Sequence, residues 1–416
     1  MDGKRFTPQS PGAITPIIKQ DGTSDLAFVP NEMPPAWEFD PKLWPLLVDA
    51  REALGTLNGI GQTLPNPQLL LRPLQTREAV TSSSIEGTHV TAAQLLLYEL
   101  DPKEPTPGDS ASADWQEVFN HTRALQRGVE LLAELPFCNR LIRDIHLVLM
   151  QGVRGFDKSP GRFRTVHVQV GSSGRFIPPP ASEVERLMAD FERYINGEFP
   201  EVDPLIRCYL AHYQFEAIHP FRDGNGRVGR VLLTLMISRW MKHAMPWLYM
   251  SAFFEEFEDE YVRNLFEVST EGRWSQWIEF CLRGTIAQAR DSIRRCHAFK
   301  KLHDSYYEQI RSNCPGPRIH QIVDMLFTYP VLTVPAVVKG FGITYHTARQ
   351  DLEKLAECGV LREVNNSRPR TFVAQQLMQI AYNHEFEDLG LRADAVENES
   401  LGTADAGGSS GEPPPP

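Results

Sequence analysis
No stretch of the 416 residues approaches the roughly 20 consecutive apolar positions that a bilayer-spanning helix needs; the densest run, Val231 to Ile237, is closed by Ser238 and Arg239. The N-terminal segment Met1 to Gly12 is polar and lacks the apolar core of a secretory signal, so a cytoplasmic protein without a membrane partner is expected. No CxxC pair occurs. The six cysteines (Cys138, Cys208, Cys281, Cys296, Cys314 and Cys358) are widely scattered, which signals neither a zinc knuckle nor a disulfide framework and predicts reduced, mostly structural thiols. Excess positive charge is also missing: a formal net charge of -11 argues against a surface that coats nucleic acid non-specifically, while leaving room for one small basic face. Nothing repeats at a period of roughly 20 to 50 residues, so no solenoid is indicated.

What is present is ordinary globular material, 42% hydrophobic and 23% charged, in a chain longer than a single core usually supports. Residues 1–35 are rich in Pro, Gly, Ser and Asp and read as disordered, as does the tail 388–416, which ends in GGSSGEPPPP. Residues 36–110 form an N-terminal helical region: Leu43, Leu46, Leu47, Ala50 and Leu54 fall at helical spacing, and Leu95 to Leu97 follow a capping Thr91. After the Pro-rich break Asp101 to Ala111, Trp115, Val118, Phe119, Thr122 and Leu125 restart a helical stripe in a second region, 111–312. One interval there departs from helix. Thr165 to Val170 alternates β-branched and polar residues, and Gly171 to Gly174 turns the chain towards Ile177, which predicts a small β-hairpin. The break Asn313 to Pro317 then precedes a further unit, 316–380. The fold class is mainly α.

The chemistry concentrates in His219-Pro-Phe-Arg-Asp-Gly-Asn-Gly-Arg-Val-Gly-Arg230, a glycine-rich string between two strongly apolar helical segments. Successive N–H groups in such a turn, with the positive end of the following helix behind them, suit phosphate oxygens. Arg227 and Arg230 lie three apart in the first turn of that helix, so both guanidinium groups can point along one face at a polyphosphate. Asp223 offers one of the few protein carboxylates Mg²⁺ needs when phosphates and water supply the rest. His219, at the preceding helix end, is the natural proton acceptor near neutral pH. Together these residues describe a phosphoryl-type transfer centre.

This string resembles the Fic family motif HxFx(D/E)GNGRxxR at every fixed position: His219, Phe221, Asp223, Gly224, Asn225, Gly226, Arg227 and Arg230. The resemblance, over roughly residues 40–300, implies a Fic-type helical bundle that transfers AMP from ATP, with Mg²⁺, to a Ser, Thr or Tyr hydroxyl of a protein, its own chain included. It implies His219 as base, Asp223 on the metal, and Gly224, Asn225, Gly226, Arg227 and Arg230 around the phosphates, with Phe221 as a buried anchor. Gly226 stands where the related phosphotransferase branch has lysine, which favours adenylylation over phosphorylation. Upstream, Ser82-Ser83-Ser84-Ile85-Glu86-Gly87 fits the family's inhibitory motif (S/T)xxxE(G/N). Glu86 is then expected to pair with Arg230 and hold the enzyme off, and a reverse role in removing AMP is an alternative reading of the same residue. The hairpin, through Val168, Gln169, Val170 and Gly171, lies where the family carries a flap that aligns the target by strand addition. Tyr261, in a segment resembling the lining of the adenine pocket, is expected on the nucleotide. In that segment Phe253, Phe257-Glu258 and Tyr261-Val262 stand where relatives often have Tyr-Phe, Asn-Arg and Tyr-Tyr. Trp274 and Trp277 read as core.

From Arg318 the pattern is helix, short helix, turn at Gly342, helix, and two strands around Asn365 to Arg370, which predicts a winged helix-turn-helix. Thr344, Tyr345, His346, Thr347, Arg349 and Gln350 would begin its recognition helix, with Arg368 and Arg370 on the wing. Asp351, Glu353, Glu357 and Glu363 blunt the positive charge, so DNA, a docked protein and a second copy of the chain are all candidate partners for this unit. The alternative to an enzyme is a nucleotide-sensing regulator whose output passes through the winged helix.

Overall fold
A computed structural model describes residues 1–19, 22–63, 67–100, 102, 110–152, 158–171, 176–365 and 367–382. The expected tail, 388–416, and most of the Pro-rich break lie outside the described residues.

Two antiparallel strands open the chain, β1 (Gly12–Ile18) and β2 (Ser24–Pro30). This corrects the expectation of disorder over 1–35. Proline and glycine content suggested an unfolded leader, but a two-stranded ribbon too small to stand alone can be ordered by the surface it docks on. Here Thr7 N donates to Thr270 O (2.8 Å), Ser10 Oγ to Ser269 O (2.7 Å) and Phe28 N to Ile177 O (2.9 Å), and Phe28 is fully buried.

The N-terminal helical region comprises α1 (Trp44–Thr63), α2 (Gln68–Ser84) and α3 (Ala92–Leu100). Then come α4 (Ser110–Leu132), α5 (Asn139–Leu149), α6 (Val184–Asn196), α7 (Pro204–Ile218) and α8 (Asn225–Trp240). The bundle is completed by α9 (Ser251–Glu256), α10 (Glu258–Glu271) and the 40-residue α11 (Trp274–Asn313). Helices α7 and α8 are apolar nearly all round, so they bury on every side and form the centre of the bundle. They pack on each other, with α4 and α5 against α8 and α6 and α10 against α7, while α1 runs along α11. The core is continuous from Leu43 to Tyr382. Trp274 and Trp277 are both in it, 4% and 0% exposed.

The C-terminal unit comprises α12 (Pro317–Thr328), β3 (Val331–Thr333), α13 (Val334–Phe341), α14 (Tyr345–Glu357), β4 (Arg362–Glu363), β5 (Thr371–Val373) and α15 (Gln375–Tyr382). The strands make one antiparallel sheet in the order β3-β5-β4. Thr344 caps α14 through its Oγ, and Gly342, in the left-handed region, makes the turn between α13 and α14. Three basic side chains of this unit are paired internally: Arg370 with Glu363 and Glu353, Arg349 with Glu353, and Arg318 with Asp351. Helices α12 and α15 lie against α2, and Arg295 of α11 donates to the carbonyls of Ile380 and Ala381.

Candidate active site
The end of α7 places the histidine. The last carbonyls of a buried helix need partners they cannot find within the helix. His219 stops α7 in the left-handed conformation (φ 51°, ψ 61°), its N–H closing onto Phe215 O at 3.0 Å. Arg164 collects the carbonyls beyond: its guanidinium donates to His219 O (2.8 Å), Pro179 O (2.7 Å), Val166 O (3.1 Å) and Ile218 O (3.3 Å), and its own N–H to Pro220 O (2.9 Å). Burial alone draws the Arg164 pKa down to about 10, so it remains a cation at neutral pH.

His219 is half-buried beneath the glycine-rich loop. Its burial, reinforced by the Arg164 charge, lowers its pKa to about 4 against the opposing pull of Glu86 and a hydrogen bond to the Glu216 backbone. A neutral imidazole that donates from one nitrogen to a backbone carbonyl keeps the other as an acceptor.

The loop is shaped from behind. The Phe221 ring is fully buried and stacked on His146, centroids 3.7 Å apart. Gly161 N donates to His146 Nδ1 (2.8 Å), which leaves the proton on Nε2, 3.1 Å from Asp223 O. Asn225 holds both backbone groups of Phe221, Oδ1 accepting from its N–H (2.8 Å) and Nδ2 donating to its carbonyl (3.0 Å). The Asn225 side chain, expected on the phosphates, thus ties the loop to itself. Gly224 precedes α8 with φ 74°, a conformation that favours glycine.

Asp223, Arg227 and Arg230 each have a partner from outside the motif. Asp223 accepts from Lys158 Nζ (2.6 Å) and from Gly224 N (2.7 Å), and these, with Arg227, hold its carboxyl below the usual range although burial pushes the other way. Arg227 pairs with Glu117 of α4 (2.5 Å), and that carboxylate also accepts from Thr88 Oγ (2.8 Å). Arg230, 2% exposed, donates to Glu86 Oε1 (2.8 Å), to Ser82 O (2.7 Å) and through Nε to Ser82 Oγ (2.9 Å). Burial would raise the Glu86 pKa, but Arg230 and then Arg227 outweigh it and lower it. Ser82 closes the last turn of α2, so the helix that precedes Glu86 is bound to the same guanidinium. Gly226 makes room for this: a Cβ there would sit 2.2 Å from Glu86 Oε1.

Two groups of expected residues stand differently. Tyr261 is 4% exposed, its hydroxyl is within hydrogen-bond distance of His212 Nε2 (2.9 Å) and its ring is stacked on Phe254, so it belongs to the core and offers little surface to a nucleotide. Of the expected hairpin from Thr165 to Ile177, the described residues show one antiparallel bridge, Val170 to Phe176, with Val168 to Gly171 non-helical and residues 172–175 outside the described residues. Across that bridge Val170 N donates to Phe176 O (3.0 Å), and the next carbonyl, that of Ile177, accepts from Phe28 N of β2.

Arg164, Lys158, Glu117 and His146 carry no signal of their roles in the sequence pattern. Glu216, one turn before His219, is equally silent there. Burial raises its pKa to about 8, despite Arg230, and its Oε1 has no hydrogen-bond partner.

Among the described residues no group of three or more His, Cys, Asp or Glu is arranged to hold a metal by itself. Asp223 is a single carboxylate with 35% side-chain exposure at the loop's edge, which fits a hard divalent cation only if phosphate and water complete its shell. No described helix is long and apolar enough to cross a membrane.

Three family models match in succession: the Fic/DOC family N-terminal region over residues 44–130, the Fic/DOC family over 136–237, and the C-terminal domain of SoFic-like protein adenylyltransferases over 302–377. The proteins named protein adenylyltransferase Fic are relatives: that of Drosophila erecta is 31% identical over 160 residues and that of Drosophila ananassae 40% identical over 157. These alignments cover 38% and 37% of this chain and 31% and 30% of the relatives, so the chain spans about a third of their length. A crystal structure of a Fic family protein from Desulfovibrio desulfuricans superposes with a TM-score of 0.54 at 22% identity, covering 82% of this chain and 98% of that one, a likeness of fold. With the complete motif in the loop between α7 and α8 and matching regions on both sides of it, the chain carries a Fic/DOC family domain over residues 136–237.

Proposed function
We propose that this protein transfers AMP from ATP to a Ser, Thr or Tyr hydroxyl of a protein, its own chain included, and that Glu86 holds the reaction in check. The observation that carries the reading is the pairing of a neutral His219 with an Arg230 already engaged by Glu86. In the reaction the target hydroxyl gives its proton to the open ring nitrogen of His219 while its oxygen bonds to the α-phosphorus of ATP. The bond to pyrophosphate breaks, and Arg227, Arg230 and the amides at the start of α8 neutralise the departing charge. A magnesium ion arriving with the nucleotide would be held by Asp223 and would supply further neutralisation of phosphate charge. The non-helical segment Val168 to Gly171 is suited to hold a target segment by strand addition, which leaves the hydroxyl side chain directed by geometry and not by sequence.

With Glu86 on Arg230, a γ-phosphate finds no open guanidinium, and ATP binds without alignment to His219. Incubation of wild type, Glu86→Gly and His219→Ala with labelled ATP and Mg²⁺ tests the proposal: label should appear on protein only where His219 is present, and most strongly with Glu86→Gly. Absence of protein-bound label from all three would overturn it and favour a nucleotide-sensing role.

A further inference from the structure
Helices α11 and α14 end against each other at two cysteines. Cys314 caps the end of α11 and Cys358 that of α14, and their sulfur atoms lie 2.6 Å apart. Both are free thiols, as are the other four cysteines. Cys208 and Cys281 are fully buried and Cys296 is 2% exposed, whereas Cys314 and Cys358 border an open cleft of about 650 Å³, lined also by Asn313, Pro315, Lys354 and Glu357. Two thiols so placed need little movement to reach the ~2.05 Å of a covalent bond.

We propose that Cys314 and Cys358 are an oxidisable dithiol whose disulfide clamps the C-terminal unit to the end of α11. The two sulfurs are unequal. Burial and the neighbouring Cys358 push the Cys314 pKa up to about 12, so it is a poor first nucleophile, while Cys358 is partly exposed in the cleft. Cys358 therefore attacks first. With a small-molecule disulfide such as oxidised glutathione, the Cys358 thiol loses its proton to water and its sulfur bonds to one glutathione sulfur, expelling the other as thiolate. Cys314 then loses its proton and attacks the Cys358 sulfur, and the second glutathione leaves. Two protein thiols are oxidised and one glutathione disulfide is reduced to two thiols.

The bond would join cysteines 44 positions apart and enclose α12, β3, α13 and α14. Removing loop entropy from the unfolded chain stabilises that unit. Because α12 packs on α2, the clamp would also stiffen the surface behind the helix that carries Ser82.

The test uses the full chain in oxidised glutathione, followed by digestion and mass spectrometry without reductant. Expected is a peptide pair joined through Cys314 and Cys358 with no glutathione retained on either, and a thermal midpoint raised by a few degrees and returned by dithiothreitol. Cys314→Ser should instead keep a stable glutathione adduct on Cys358. The proposal fails if wild type retains glutathione on Cys358 without cross-linking, if both thiols stay reduced, if the joined cysteines are a different pair, or if the cross-link leaves the midpoint unchanged. Comparing oxidised and reduced wild type keeps the test valid should the variant not fold.

Discussion
Replacing Glu86 by glycine removes one carboxylate from a guanidinium that is 2% exposed, and that burial sets the scale of the effect. A charge-assisted hydrogen bond of this kind contributes about 1.5–3 kcal/mol, so freeing Arg230 for a phosphate should raise the transfer rate by roughly ten- to a hundredfold. Stability should move the other way. Stripping a partner from a fully buried ion costs about 3–5 kcal/mol, but the Glu86 side chain is 35% exposed and Arg230 keeps both bonds to Ser82, so a loss of about 1–3 kcal/mol is expected. The assay is the initial rate of labelled AMP incorporation into protein, beside thermal unfolding of the same preparations. A lowered melting midpoint with an unchanged rate would refute the reasoning, since the pair would then be broken and shown to serve the fold alone. Gly226→Ala provides an independent approach: its methyl carbon collides with Glu86 Oε1, so it should loosen the same pair with Glu86 still present, and the Glu86→Gly background should not show that loosening.

Lys158→Met removes the cation resting on Asp223, and the Mg²⁺ concentration giving half-maximal transfer should fall several-fold; an unchanged requirement would show that Asp223 does not bind the ion. Arg164→Met leaves the carbonyls at the end of α7 without their donor, and a loss of about 3 kcal/mol or more by chemical denaturation is expected, together with loss of transfer. With a His219 pKa near 4, transfer should be level from neutral pH down and fall only as the medium approaches pH 4; a midpoint near 6.5 would mean a solvated imidazole. The sign for stability agrees: the unfolded imidazole takes up its proton below about pH 6.5 and the folded one only near 4, so acidification across that window destabilises the fold. Glu216, with its pKa raised to about 8, resists ionisation in the folded protein, so rising pH from its ordinary range to about 8 costs stability that Glu216→Gln would keep. The variant's advantage in melting midpoint should be small at pH 5 and larger at pH 8.

The helical bundle and the loop from His219 to Arg230 were legible in the sequence because each rests on local information. Apolar spacing marks a helix, proline and glycine mark its ends, and a phosphate loop needs its glycines and arginines within one turn of each other. The N-terminal ribbon was not legible, since contact with α10 and residue 177 orders it, and composition alone read as a disordered leader. The same holds for Tyr261, whose place in an aromatic stack is set by His212 and Phe254. The electrostatic state of the site was decided by tertiary structure throughout. Glu117 reaches Arg227 across 110 residues, Ser82 reaches Arg230 across 148, and Arg164 reaches the His219 carbonyl across 55. Which groups the motif contains is local; which of them are neutral, paired or open to a ligand depends on charges and burial supplied by helices far away in the chain.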